Sequence, residues 1–210
     1  MKIFGENVDG YNVPVLNERE IRASAGILLL FLVVSMMQAI LKMEFLTLKY
    51  FIIVFLADLS IRIFVNPKYS PVLIIGRLIV SKQVPEYVSA APKKFAWIIG
   101  LTLAMIMFIH MVIGNTYSVI TGIICMICLI FLFFESSFGI FLGCLFYPLF
   151  FKKKEQYCSG DFCIVKAKHD IQKTSIEQIF MIIGFIVFVL LVYYIFNAYL
   201  SDKPEALSFI

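Results

Sequence analysis

Charge is scarce in this chain. Only 15% of its 210 residues are Asp, Glu, Lys or Arg, where a soluble domain carries ~25%. Hydrophobic residues make up 61% against ~45–50% in ordinary globules, and the mean hydropathy of +0.95 agrees. A soluble globule of this size cannot hide so much apolar surface. A soluble enzyme, a disordered protein and a disulfide-scaffolded secreted domain are therefore excluded. The basic start running straight into an apolar stretch, which marks a signal peptide, is also missing: Glu6, Asp9, Glu18, Arg19 and Glu20 fall in the first twenty residues. The first apolar segment is expected to be retained as a span. There is no phosphate-binding loop, no Ser/His/Asp set, no H-E-x-x-H and no internal repeat, so nothing favours a hydrolase or a transporter built of inverted halves. The net charge of +4 and the lack of a basic, aromatic-interleaved stripe speak against nucleic acid.

What is present is a series of long apolar runs. A crossing helix needs ~20 apolar residues to span ~30 Å of hydrocarbon. Ala23–Leu41 is uncharged between Arg22 and Lys42 and is read as span one. Phe45–Val65, broken by Lys49, Asp58 and Arg62, is read as span two. Phe95–Phe134 is forty residues without an Asp, Glu, Lys or Arg, twice what one crossing needs, and so predicts spans three and four about a turn at Gly114-Asn115. Gln178–Ser201 makes the fifth. Ser70-Pro71 opens a short helix through VLIIGRLIV, too short to cross and expected in the interface. Ser136–Phe151, with Gly139, Gly143 and Pro148, is also short; it extends span four, re-enters, or lies along the surface. With the N-terminus cytoplasmic, fifteen Lys and Arg fall inside and three outside, which supports five spans by the positive-inside rule. The expected fold is thus an all-α integral protein of the cytoplasmic membrane, with about five transmembrane helices and one or two interfacial ones. Its parts are a four-helix membrane domain (1–151), a cytoplasmic Lys/Cys loop (152–175) and a fifth span with a short external tail (176–210).

Charges at membrane depth ask for a partner or a purpose. Asp58 and Arg62 lie four apart on one helix face; either they neutralise each other, or one faces a polar cavity and contacts an anion or a proton. Glu135 is an interfacial residue if span four begins at Tyr117, and a functional candidate if that helix runs on to Phe150. His110 is read as a packing histidine. Gly100 and Ala104 form a small-x-x-x-small face for another helix, within the chain or between subunits.

Of the five cysteines, Cys125 and Cys128 share a helix face but lie mid-span, where the thiolate is disfavoured, and are read as packing residues. Cys158 and Cys163 flank a Gly160-Asp161 turn in the polar loop YCSGDFC, near lysines that favour the thiolate. With His169 they supply only three zinc ligands, too few for a closed site. No cofactor or metal is expected.

Four stretches in order carry a family resemblance: NVPVLNEREIRASAG before span one, ADLSIRIFVNPKYSPV closing span two, APKKFAWIIG opening span three and FGIFLGCLFYP closing span four. Together, over roughly residues 10–151, they resemble the bacterial membrane family called domain of unknown function 4395. The resemblance implies a small four-helix membrane domain with no established activity. Many members show a membrane-embedded C-x-x-C at the fourth helix, and some are joined to, or encoded beside, thioredoxin-like or rhodanese-like proteins. Cys144 matches the second cysteine of that motif, while Phe141 replaces the first, so no dithiol forms within it. Three functional expectations follow. The chain handles thiols or sulfur at the cytoplasmic face through Cys144, with Cys158 and Cys163 as resolving thiols and a thioredoxin-like or rhodanese-like partner. Alternatively it is a non-catalytic membrane scaffold, or a small transporter or channel component using Asp58, Arg62 and Glu135. Oligomeric state is not read from the sequence.

Overall fold

The computed structural model describes residues 4–6, 13–139 and 174–206. Cys144, Cys158 and Cys163, and with them the expected 152–175 loop, lie outside the described residues. The order of elements is β1 (Val15–Asn17), α1 (Glu18–Lys42), α2 (Leu46–Ser60, widening into a π-helical turn over Ile61–Val65), a 3-10 turn (Pro67–Tyr69), α3 (Pro71–Val80), β2 (Tyr87–Ser89), α4 (Ala90–Met107, with a π-helical turn over Phe108–Ile113), β3 (Thr116–Tyr117), α5 (Val119–Phe138), α6 (Ile176–Ser201) and β4 (Glu205–Ala206). The purely helical expectation needs one correction. β1 pairs antiparallel with β2, and β3 runs parallel to β4. Both pairings are short clamps that satisfy backbone groups where helices begin or end.

Each helix starts and stops for a local reason. The Asn17 side chain accepts from Arg19 N at 3.2 Å and donates from Nδ2 to Glu20 Oε1 at 3.0 Å, so α1 begins at Glu18, ahead of the uncharged run. Met43 in the left-handed region (φ 53°) ends it. Ser70 caps α3 by accepting from Leu73 N at 3.2 Å, and Pro71 fills a first-turn position where its missing N–H costs nothing. At the start of α5 Thr121 Oγ1 accepts from Ser118 N at 2.8 Å, and at the start of α6 Gln178 Oε1 accepts from Ser175 N at 3.0 Å. The turn expected at Gly114-Asn115 is there, with Asn115 left-handed at φ 45°. Helix α5 stops at Phe138 because Gly139 turns left-handed (φ 61°); Glu135 therefore sits in its last turn.

Helices α1, α2, α4 and α5 enclose one apolar core, with Ile21, Ala25, Leu28 and Leu32 of α1 against Phe51, Phe55 and Leu59 of α2, Trp97, Ala104 and Met107 of α4, and Ile124, Cys125, Cys128 and Leu132 of α5. Helix α3 crosses α1 so closely that a Cβ on Gly76 would stand 2.6 Å from Glu20 O. The small-residue face of α4 is used within the chain: Gly100 lies 3.4 Å, measured from an added Cβ, from Leu59 Cδ1 of α2, and Ala104 is buried.

Four helices are long and apolar enough to cross a membrane: Glu18–Lys42, Ala90–Ile113, Val119–Phe138 and Ile176–Ser201. Leu46–Val65 is an unbroken helical run as well, but Lys49, Asp58 and Arg62 keep it out of that count, and all three are buried. Helix α6 has only Gln178 and Leu200 buried, with Phe180, Leu190, Tyr194 and Ile195 among its exposed side chains. A helix apolar all round and covered by so little protein requires an apolar surrounding.

Candidate functional site

The end of the bundle that holds Glu18, Arg62 and Glu135 concentrates buried charge. Asp58 has no exposed surface. Its Oδ2 accepts from Arg62 Nε at 2.7 Å, and its Oδ1 accepts from Ser70 Oγ at 2.6 Å and from Val72 N at 3.1 Å. Arg62 Nη2 lies 2.6 Å from the same Oδ2, and Arg62 Nε also donates to Ser70 Oγ at 3.2 Å. One carboxylate thus joins α2 to the first turn of α3. The guanidinium lies 5.2 Å from the Trp97 ring centroid, within cation–π range.

A second cluster joins α1, α4 and α5. Lys93 Nζ lies 2.9 Å from Glu18 Oε2, donates to Glu18 Oε1 at 3.2 Å, and stands 3.7 Å from Glu135 Oε1. Two carboxylates share this ammonium. In a third, nearer the chain start, Arg77 Nη2 lies 3.1 Å from Glu20 Oε2 and 3.7 Å from Glu6 Oε1. Burial pushes the Glu6 carboxyl above its ordinary range, against the pull of Arg77 and Lys68.

Between the first two clusters and the middle of the bundle lies a cleft of about 70 Å³, walled by α1, α2, α4 and α5. Ala25, Leu28, Phe55, Leu59 and Leu132 make its apolar sides; Arg62, Trp97 and Glu135 stand along it. Of the buried polar atoms of those side chains, Trp97 Nε1 makes no hydrogen bond among the described residues, while Arg62 Nη2 and Glu135 Oε1 are held by their ion pairs with Asp58 and Lys93. Trp97 is 4% exposed and Arg62 3%. Buried polar atoms are normally satisfied, and each exception calls for an explanation.

Asp58 and Arg62 are thus brought together, and Arg62 and Glu135 border one cleft. Cys128 borders the same cleft, while Cys125 lies with it deeper in the core, and both are free thiols. His110 falls in the π-helical turn at the opposite end, where its carbonyl accepts from Thr116 Oγ1 at 3.1 Å. Among the described residues no group of three or more His, Cys, Asp or Glu could hold a metal ion. Sequence reasoning did not single out Trp97, Lys93 or Glu18, and it read Ser70 only as the start of a helix. The signal for Trp97 was available: it is the only tryptophan, in an apolar run with no neighbouring acceptor for its N–H. Lys93 and Glu18 read as flanking charges, because nothing in their local sequence shows that they meet.

At the other end, Lys49 is 1% exposed and donates to Asn115 Oδ1 at 2.6 Å, Leu200 O at 3.0 Å and Asp202 O at 2.8 Å. It ties α2 to the α4–α5 turn and to the end of α6. A larger hollow of about 710 Å³ beside this end is lined largely by apolar residues, including Met36, Met43, Met111 and Met126.

A helical bundle with four helices long and apolar enough to cross a membrane fits a membrane protein. Within that class the chain belongs to the family described as Domain of unknown function (DUF4395), which matches residues 16–152. No curated protein and no solved structure is detectably similar to it.

Proposed function

We propose that this chain is a multi-pass protein of the cytoplasmic membrane that binds a small molecule in its intramembrane cleft, as a component of uptake or transfer. The observation that carries this reading is a cleft inside the bundle, apolar on its sides, that Arg62, Trp97 and Glu135 border, with the buried Trp97 Nε1 making no hydrogen bond among the described residues. A purely structural cluster would saturate its polar atoms, as Asp58 does with Arg62, Ser70 and Val72. In this reading Leu46–Val65 is a fifth crossing that runs antiparallel to α1 and α4, its charges neutralised inside the bundle. The N-terminus is cytoplasmic, since that orientation leaves the basic residues overwhelmingly inside. The thiol-handling alternative draws no support from the described residues.

Native mass spectrometry of the protein extracted from its own membrane tests the binding. A bound small molecule is expected on the wild type and is lost when Gly100→Leu fills the cleft wall. Equal occupancy in both would remove the reading. Reporter fusions after Ser89 and after Asn115 test the orientation: the first is expected inside and the second outside.

A further inference from the structure

Residues 4–6 lie against the bundle ahead of β1 and belong to none of its helices. Glu6 N donates to Val15 O at 3.0 Å, and Glu6 O accepts from Val15 N at 2.9 Å. Val15 also pairs with Ser89 of β2, so Glu6 adds to that ladder on its other edge. Phe4 meets the Trp97 ring edge to face, with centroids 5.9 Å apart at 66°, and Lys94 Nζ stands 5.0 Å from the Phe4 centroid. Between them Gly5 has φ 98°, and a Cβ there would stand 2.8 Å from Ala90 Cβ. Only glycine combines that backbone with that approach. The seat is therefore selective at successive positions: an aromatic on Trp97, a glycine on Ala90, and an acidic residue whose Oε1 lies 3.7 Å from Arg77 Nη2.

The hold is selective but light. It consists of two backbone hydrogen bonds, one ring contact, one cation–π contact and one long ion contact. Each is worth about tenfold or less in a docking equilibrium. A segment held by so few contacts opens far more readily than the core it rests on. What it covers matters more. Trp97 borders the cleft and is 4% exposed with Phe4 in place. Phe4 is half-buried and does not line the cleft itself, so it covers the tryptophan rather than filling the space behind it. We infer that residues 4–6 are a detachable strap that docks on the free edge of β1 and closes the approach to the cleft at Trp97. That the cleft holds a ligand and that the strap faces the cytoplasm rest on the reading above; the docking does not.

Trp97 is the chain's only tryptophan, so it reports directly on its cover. In the full-length protein in nanodiscs, the amides of Glu6 and Val15 are expected to exchange well ahead of those in the middle of α1 and α4. Equal protection would show that the strap opens only with the whole bundle, and would overturn the proposal. The family match begins at residue 16, after the strap, so a chain lacking residues 2–6 is expected to assemble. Its Trp97 emission should shift to the red and gain quenching by acrylamide; unchanged quenching would show that the strap covers nothing. A peptide of residues 1–10 added to that variant should reverse both changes saturably. The same peptide with Phe4→Ala should need about tenfold more, the value of a lost aromatic pair, and with Gly5→Val should have no effect. No reversal by the native peptide, or equal potency of all three, overturns the strap as a ligand of a built slot. Amide exchange in the wild type decides the question even if the shortened chain fails to assemble. None of these results depends on a small molecule in the cleft, so the strap and the binding reading fail separately.

Discussion

Replacing Asp58 by leucine removes the most heavily used carboxylate in the bundle. The wild-type group neutralises Arg62 and accepts from Ser70 Oγ and Val72 N with no exposed surface. Leucine branches at the same carbon and is larger, so no cavity is left; the loss comes from an unpaired guanidinium, an unbonded amide and a stranded hydroxyl, with any crowding by the bulkier side chain adding to it. Breaking a buried pair from one side costs about 3–5 kcal/mol, or about 10²–10⁴-fold in the folded-to-unfolded ratio. Replacing both partners by apolar residues is close to neutral in such pairs, because no charge is then stranded. Asp58→Leu/Arg62→Met is therefore expected to recover at least about 2 kcal/mol over Asp58→Leu alone. Reversible unfolding in mixed micelles, followed by helix content and by Trp97 emission, measures both. A single variant as stable as wild type, or a double variant no better than the single, would refute the account of Asp58 as the neutralising acceptor that joins α2 to α3.

Gly76→Ala is expected to destabilise by about 1–3 kcal/mol, because the added methyl would sit 2.6 Å from Glu20 O, a backbone atom that cannot turn aside; the same unfolding assay checks it. Cys125 and Cys128 are buried, so a maleimide is expected to label them only on unfolding, and labelling of native protein at the rate of an exposed thiol would contradict the packing. The Glu6 carboxyl is raised in the folded state, so the folded form binds its proton more tightly. The docked Glu6–Val15 bridge is accordingly strongest below the ordinary carboxylate range and weakens as pH rises through the raised value. Amide exchange at Glu6 and Val15, faster at neutral than at acid pH after correction for intrinsic rates, is the expected result; Glu6→Gln removes the dependence.

Much of the fold was legible because it is written in local terms. The uncharged runs became α1, α4, α5 and α6; Ser70-Pro71 did open a helix; Gly114-Asn115 did turn the chain. Each depends on hydrophobic periodicity or on the chemistry of neighbouring residues. The interior polar groupings were far less visible. Asp58 and Arg62 could be paired from their spacing, but Ser70 and Trp97 join them from other elements. Glu18, Lys93 and Glu135 come from three helices, with 75 residues separating the first two along the chain, and no spacing rule connects them. The placement of Lys49 shows the same limit. In the sequence it is a charge that weakens a span, and in the structure its three acceptors come from a turn and from the end of a helix formed some 150 residues later.

That late arrival bears on how the protein is made. Helix α6 is pinned at both ends, by Gln178 Nε2 donating to Lys68 O at 3.2 Å and by Lys49 reaching Leu200 and Asp202, while its flank stays almost bare. With Leu46–Val65 crossing as proposed, the ammonium of Lys49 enters the membrane early in synthesis and waits, without two of its carbonyl acceptors, until the last helix has been translated. A chain without its last helix thus lacks two acceptors for a charge that the full chain conceals, and such a charge could mark it for proteolysis. Lys49→Met is expected to erase that distinction. Chains stopped before α6 should then persist longer in pulse-chase than the same chains with Lys49, and equal half-lives would show that the buried ammonium plays no part in proofreading.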